Sequence, residues 1–280
     1  DATKQKALEK WATFDPKIGY PDKWRDWTGL TIVPGHYFEN VLAADKFDYD
    51  YEVAKIGRPV DRTEWGMTPQ TVNAYYNGQK NEIVFPAAIL QPPFFDANAD
   101  DALNYGGIGA VIGHEMGHGY DDQGSKFDAL GNNSNWWTDA DRKAFEARTD
   151  KLKAQFDAYE PLPGKHVNGA LTMGENIGDL GGLNASYTAL QMALSKNPAE
   201  AKAKIDGYTP EQRFFLNWAR VWRGNILPEA QITLLNTDPH APTQFRAIGA
   251  PSNMPEFAQA FQCKAGEAMV RDDKDRVRIW

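Results

Sequence analysis

The sequence predicts a mainly helical α+β domain with a small antiparallel sheet placed ahead of a histidine-bearing helix. Three observations lead there. Apolar residues recur at helical spacing in several long segments from about Asp101 onward. One β-prone pair flanks an Asn77-Gly78 turn signal before them. The 280 residues are 42% hydrophobic, with nine tryptophans and fourteen phenylalanines, enough apolar side chain for a substantial core.

Taken in order, residues 1–70 are rich in Trp, Asp and Pro with weak periodicity. They read as a helix followed by short strands and loops, a peripheral segment to a core at 71–280, with 1–280 as one domain. Thr71 to Phe85 reads as a hairpin. Thr71-Val72-Asn73-Ala74-Tyr75-Tyr76 is β-prone, Asn77-Gly78 turns, and Glu82-Ile83-Val84-Phe85 returns. Leu103 to Gly119 is helical. Thr138 to Tyr159 is a second helix, with Thr138 and Asp141 as a capping pair and Phe145, Leu152, Phe156 and Tyr159 on one face. A third runs from about Glu175 to Lys196. A fourth starts at Thr209-Pro210-Glu211-Gln212, a capping Thr followed by Pro at the first helical position, and a short one follows Asn253. Phe214, Phe215 and Trp218 on the fourth are expected to exceed what the chain buries alone and to leave an apolar patch.

Composition excludes several classes. The net charge is −8 and basic residues do not cluster, which argues against nucleic acid as a partner. No apolar run reaches the roughly 18 residues of a bilayer span. The single cysteine, Cys263, allows no internal disulfide and removes cysteine from any metal site. Asp1-Ala2-Thr3-Lys4 is not a signal peptide and lacks an initiator Met, as expected of a trimmed chain or a piece of a longer one.

The chemistry concentrates at His114-Glu115-Met116-Gly117-His118. Residues i and i+4 lie on one helical face, so two imidazoles so placed grip one zinc ion from the same side. Glu115, one step round, reaches a water on the metal without being a ligand. The plainer alternative is two buried histidines satisfied by backbone carbonyls. A catalytic zinc takes three protein ligands. Glu175 and Asp179, again i and i+4, are the best source of the third: one carboxylate binds and the other accepts a histidine N–H, or both are surface acids near a helix start. Asp121 or Asp122 is a candidate to orient His118. His240 and Arg246, in a proline-rich stretch, suit stabilisation of an oxyanion or of a substrate carbonyl, or are surface residues.

These pieces occur in an order that resembles one family. Asn73-Ala74-Tyr75-Tyr76, Ile83-Val84-Phe85-Pro86, Leu90-Gln91-Pro92-Pro93-Phe94-Phe95, Asn104-Tyr105-Gly106-Gly107, Val111-Ile112-Gly113-His114-Glu115, His118-Gly119-Tyr120-Asp121-Asp122, Trp136-Trp137, Gly174-Glu175-Asn176-Ile177-Gly178-Asp179 and His240 to Arg246 follow one another. From about Ile18 to Trp280 the chain resembles the catalytic half of the neprilysin and endothelin-converting-enzyme zinc metalloendopeptidases. The resemblance implies a thermolysin-like zincin with one Zn2+ per chain, held by His114, His118 and Glu175, and with Glu115 as general base. It implies that Asp179 orients His114, His240 stabilises the oxyanion and Arg246 holds a substrate carbonyl. Asn73 and Ala74 then present an edge strand to the peptide, and Ile89, Phe94, Val111 and Trp222 line the pocket for the side chain after the scissile bond.

The implied activity is hydrolysis of short peptides on the amino side of large hydrophobic residues. A non-catalytic zinc- or peptide-binding fragment and a zinc aminopeptidase are the alternatives. The family's helical lid half and the cysteines of its animal members are absent. That points to a bacterial member or one fragment of a processed enzyme, with a second polypeptide supplying the lid, in the periplasm or outside the cell, a cytoplasmic location remaining open.

Overall fold

Helix α1 (Ala2–Ala12) leads directly into strand β1 (Asp15–Gly19) in the computed structural model, which describes residues 2–279. The chain forms two compact units: Asp1–Gly19 with Pro69–Trp280, and Tyr20–Thr68 between them in sequence. In the smaller unit, helix α2 (Tyr37–Val53) buries none of its residues. Arg25 stacks its guanidinium 4.3 Å from the Trp27 ring and 4.2 Å from the Tyr51 ring, and pairs with Asp48 at 2.6 Å. Short strands were expected there; among the described residues it has none.

In the larger unit the expected hairpin is present as β2 (Tyr75–Asn77) antiparallel to β3 (Glu82–Pro86). The connection is longer than a two-residue turn. The Asn77 side chain accepts from the amides of Gln79 and Lys80, which ends the strand early, and Asn81 takes the left-handed conformation that asparagine tolerates. β1 adds parallel to the other edge of β3, so the sheet is mixed, in the order β1-β3-β2. β3 is fully buried because it is paired on both sides, and β2 is an edge strand of the sheet.

The remaining elements are helical. α3 (Asp101–Asn104), a π turn (Tyr105–Gly109) and α4 (Ala110–His118) run on as one rod carrying the histidine motif. α5 (Asp139–Asp157) begins at Thr138, whose side chain accepts from the Asp141 amide. α6 (Met173–Lys196) and the short α7 (Pro198–Lys202) follow. α8 (Pro210–Val221) has the full Thr209/Gln212 capping box. α9 (Pro228–Thr237), α10 (Thr243–Gly249) and α11 (Pro255–Phe261) complete the unit. No helix is long and apolar enough to cross a membrane, among the described residues.

The main core joins Leu152 and Phe156 of α5, Ile177, Leu180, Leu183 and Leu190 of α6, and Phe214, Phe215 and Trp218 of α8. This corrects the expectation for α8. Phe214, Phe215 and Trp218 are 0%, 3% and 1% exposed. Phe214 and Phe215 pack against Tyr187, and Phe215 also meets the Phe257 ring at 5.3 Å, so α11 covers the face that the sequence seemed to leave bare. A second cluster, Ala74, Ile83, Phe85, Ile89, Ile108 and Val111, joins the sheet to the rod.

α4 and α6 cross on glycines. Gly113 and Gly117 on one, Gly178 and Gly182 on the other, are each spaced i, i+4. A Cβ on Gly113 would stand 2.7 Å from Gly182 Cα, and one on Gly182 would run into the amide of His114. Helix separation depends on the side chains at the contact, so these glycines bring the backbones together. That approach sets the first turn of α6, with Glu175, beside the two histidines.

Candidate functional site

The His114 and His118 rings meet edge to face on α4, with their Nε2 atoms 2.9 Å apart. Each ring has a carboxylate at its other nitrogen. Asp121 Oδ2 lies 2.7 Å from His118 Nδ1, and Asp179 Oδ1 lies 2.9 Å from His114 Nδ1, an ion-pair approach rather than an aligned hydrogen bond. A proton at Nδ1 leaves a lone pair at Nε2. At 2.9 Å the two Nε2 atoms share a cation, either a proton carried by one ring or a metal ion between them.

Glu175 completes the convergence. Its Oε2 is 3.2 Å from His114 Nε2 and its Oε1 is 3.5 Å from His118 Nε2. A tetrahedral ion with bonds of about 2.0–2.1 Å sets its ligand atoms roughly 3.3 Å apart, and the three separations bracket that value. Glu175 Oε2 is buried and accepts no hydrogen bond. The donor set of two imidazoles and a carboxylate, without cysteine, therefore fits zinc. Burial works against ionisation of Glu175, but the imidazoles of His114 and His240 close beside Oε2 hold its carboxyl far below the usual range. For His114, burial opposes protonation, yet Asp179 and Glu175 outweigh it and lift the imidazole to about 10.

Glu115 belongs to the same cluster: His114, Glu115 and His118 each offer an atom within 4.8 Å of the others. It is 4% exposed, and burial raises its carboxyl pKa, against the pull of both histidines. Asp179 is the hub behind the site. Besides His114 it receives Arg246 Nη2 at 2.7 Å and Nε at 2.8 Å. The guanidinium lies 3.9 Å from the Trp222 ring and 3.5 Å from Glu175. Burial raises the Asp179 carboxyl, but Arg246 outweighs it and the net shift is downward.

His240 stands half-exposed with Nδ1 2.7 Å from Asp238 and Nε2 3.1 Å from Glu175 Oε2. The Glu175 carboxylate beside it raises its pKa against partial burial. Asp121, not Asp122, is the partner of His118; its second oxygen accepts from the amides of Gln123 and Gly124. Despite its proline-rich surroundings, Arg246 is helical. It sits on α10, entered through Pro242 and anchored by buried Phe245. Among the anticipated pocket residues, Ile89, Phe94 and Val111 share the second apolar cluster with Ala74. Trp222 instead packs on Trp218 and Arg246. Asn73 and Ala74 directly precede the edge strand β2.

A family model described as Peptidase family M13 matches residues 73–277. The chain belongs to that family. It is similar to Neprilysin-3 of Drosophila melanogaster, 41% identical over 99% of this chain and 36% of the relative. Endothelin-converting enzyme 1 of Homo sapiens is 42% identical over 100% of this chain and 37% of the relative. The crystal structure of Mycobacterium tuberculosis zinc metalloprotease Zmp1 with an inhibitor superposes with a TM-score of 0.96. It is 53% identical and is matched over 100% of this chain and 43% of that one. The chain thus spans less than half the length of each, and each relative carries the matched region within one longer chain, so the expectation of a separate second polypeptide gains no support.

Two features escaped sequence reasoning. The paired glycine faces of α4 and α6 were visible as i, i+4 repeats flanking both motifs, and that spacing was the available signal. Lys10, described below, gave none: it is one lysine in a short, mostly polar helix.

Proposed function

We propose that this chain is the catalytic part of a zinc-dependent endopeptidase, its chemistry built on the unit formed by residues 1–19 and 69–280. The observation that carries the reading is the pair of His Nε2 atoms 2.9 Å apart, each ring backed by a carboxylate at Nδ1, with Glu175 facing both. In this reading His114, His118 and Glu175 hold one zinc ion. When bound, zinc supplies Lewis acidity, which polarises a carbonyl and lowers the pKa of a bound water toward about 7.

The chain's own residues do the rest. Glu115 takes the proton of the attacking water and hands it to the leaving amine; its burial favours the protonated form that the second step requires. Asp179 and Asp121 hold the two imidazoles in the tautomer that turns Nε2 inward. His240, kept basic by Glu175 and oriented by Asp238, donates to the oxyanion. Arg246 has given Nε and Nη2 to Asp179, so a substrate carbonyl draws on its remaining N–H groups.

The peptide adds along the sheet edge at Asn73, Ala74 and β2. Ile89, Phe94 and Val111, with Trp222 at the rim, receive a large apolar side chain after the scissile bond. Substrates are short peptides, reached outside the cytoplasm, and a helical lid outside these 280 residues limits access to the cleft.

The test is Glu115→Gln. Turnover of N-terminally blocked peptides should fall by about 10²–10⁴ with zinc retained. Activity within about tenfold of wild type would remove Glu115 from the role. Cleavage confined to peptides with a free amine would make the protein an aminopeptidase.

A further inference from the structure

Lys10 lies on α1 but is 1% exposed. A buried ammonium needs partners for its three protons. Lys10 Nζ donates to the carbonyls of Gly119 at 2.6 Å, Phe127 at 2.7 Å and Gly124 at 2.8 Å. The rings of Tyr76, Tyr120 and Trp136 stand 5.5, 5.6 and 5.9 Å away. The three carbonyls bracket the loop that leaves α4 one residue after His118. The first of them lies at the helix C-terminus, where the dipole favours a cation.

That loop contains Asp121. One Asp121 oxygen meets His118 Nδ1, and the other accepts from Gln123 and Gly124, whose own carbonyl Lys10 takes. The loop folds so tightly onto α4 that a Cβ on Gly124 would collide with the carbonyl of His118. On the other side, Asn81 fixes the backbone of Lys10, donating to its carbonyl at 3.0 Å while accepting from the Tyr76 hydroxyl. One side chain therefore joins α1, the hairpin and the turn that orients a histidine of the motif. An apolar residue would fill the space but take from the Gly119 carbonyl its donor, and leave the Gly124 and Phe127 carbonyls with only the Phe127 amide and the Trp136 indole N–H.

We propose that Lys10 is a positioning residue for the zinc site, clamping the Gly119–Phe127 loop so that Asp121 is held against His118. The proposal rests on the zinc reading above. It requires that the effect of Lys10 pass through Asp121 to the metal, whereas a purely structural lysine would alter stability alone.

The experiment uses Lys10→Met, Asp121→Asn and the double variant of the full chain. Zinc affinity is read by chelator competition and ligand geometry by the visible spectrum of the cobalt-substituted protein. Lys10→Met should weaken zinc binding roughly 10–100-fold and shift the cobalt bands. In the Asp121→Asn background it should add less than about threefold, because the two act in series. A folded Lys10→Met protein that binds zinc within about threefold of wild type, with unaltered cobalt bands, overturns the proposal, as does full additivity with Asp121→Asn. Should Lys10→Met not fold, Lys10→Arg, which keeps the charge but misfits the three-carbonyl cage, takes the same measurements against the same limits. Failure of the wild-type chain itself to bind zinc would instead refute the zinc reading.

Discussion

Replacing Asp179 with Asn removes one charge from the hub behind the site while keeping its volume. Two consequences follow from the geometry and are read in separate measurements. Arg246, 6% exposed, exchanges two charge-assisted bonds to the carboxylate for one to the amide oxygen of Asn, and keeps Glu175, at 3.5 Å, and the face of Trp222. Removing one partner of a buried ion pair costs about 3–5 kcal/mol, and the residual contacts place this case near the lower end, about 3 kcal/mol. For a chain of this size that lowers the melting temperature of the metal-free protein by roughly 6–12 °C. His114 also loses the carboxylate at Nδ1, which should weaken zinc binding by about 10–100-fold. The pH dependence follows in sign. Asp179 has its pKa lowered from 3.8, so its stabilising effect is present above that value and is lost as pH falls below it. The gap between wild type and variant should therefore be full at neutral pH and narrow only in acid. Thermal unfolding of the metal-free proteins and zinc competition decide the matter. A variant melting within about 2 °C of wild type and binding zinc within about twofold would refute the reasoning.

Two further outcomes follow. Burial raises Glu115 above its usual 4.5, and a general base must be ionised, so activity should be lost as pH falls through that raised value. The acid limb of kcat/KM should lie above pH 4.5, and an optimum near pH 4 would contradict the mechanism. Gly182→Ala places a methyl against the amide of His114 and the carbonyl of Ala110, forcing α6 away from α4. Overpacking of this kind costs about 1–3 kcal/mol, and Glu175 should move with the helix, so both melting temperature and zinc affinity should drop; wild-type values of both would show that the crossing is not what sets the site.

What was legible in the sequence was mostly local. His114 and His118 need only one turn of helix to meet, and the Thr209/Gln212 box marks its own helix start. The hairpin showed as an alternating pair, but β1, Asp15-Pro16-Lys17-Ile18-Gly19, joins the sheet in parallel through a contact between residues 67 positions apart, as in Asp15 with Glu82, and carries no period of its own. Glu175 and Asp179 were singled out by spacing, yet spacing left open which of them would face a metal; the resemblance chose Glu175, and in the structure Glu175 stands at His114 Nε2 and Asp179 at Nδ1. The burial of Phe214, Phe215 and Trp218 was misjudged because α11, which covers part of that face, announces itself weakly in seven residues. Helix α2 was missed for the opposite reason: it buries no face, so it has no apolar stripe to read. Lys10 lay beyond sequence reasoning, since its partners are main-chain carbonyls more than a hundred residues away.

Two glutamates stand at the same pair of imidazoles, and the account gives them different roles. The most direct test is the zinc content per chain of wild type, Glu115→Gln and Glu175→Gln, purified alike. The account predicts about one zinc in the wild type, about one in Glu115→Gln, and a large loss in Glu175→Gln, because only Glu175 is a ligand. Zinc retained in Glu175→Gln and lost in Glu115→Gln, or a folded wild-type chain that takes up none, would contradict it.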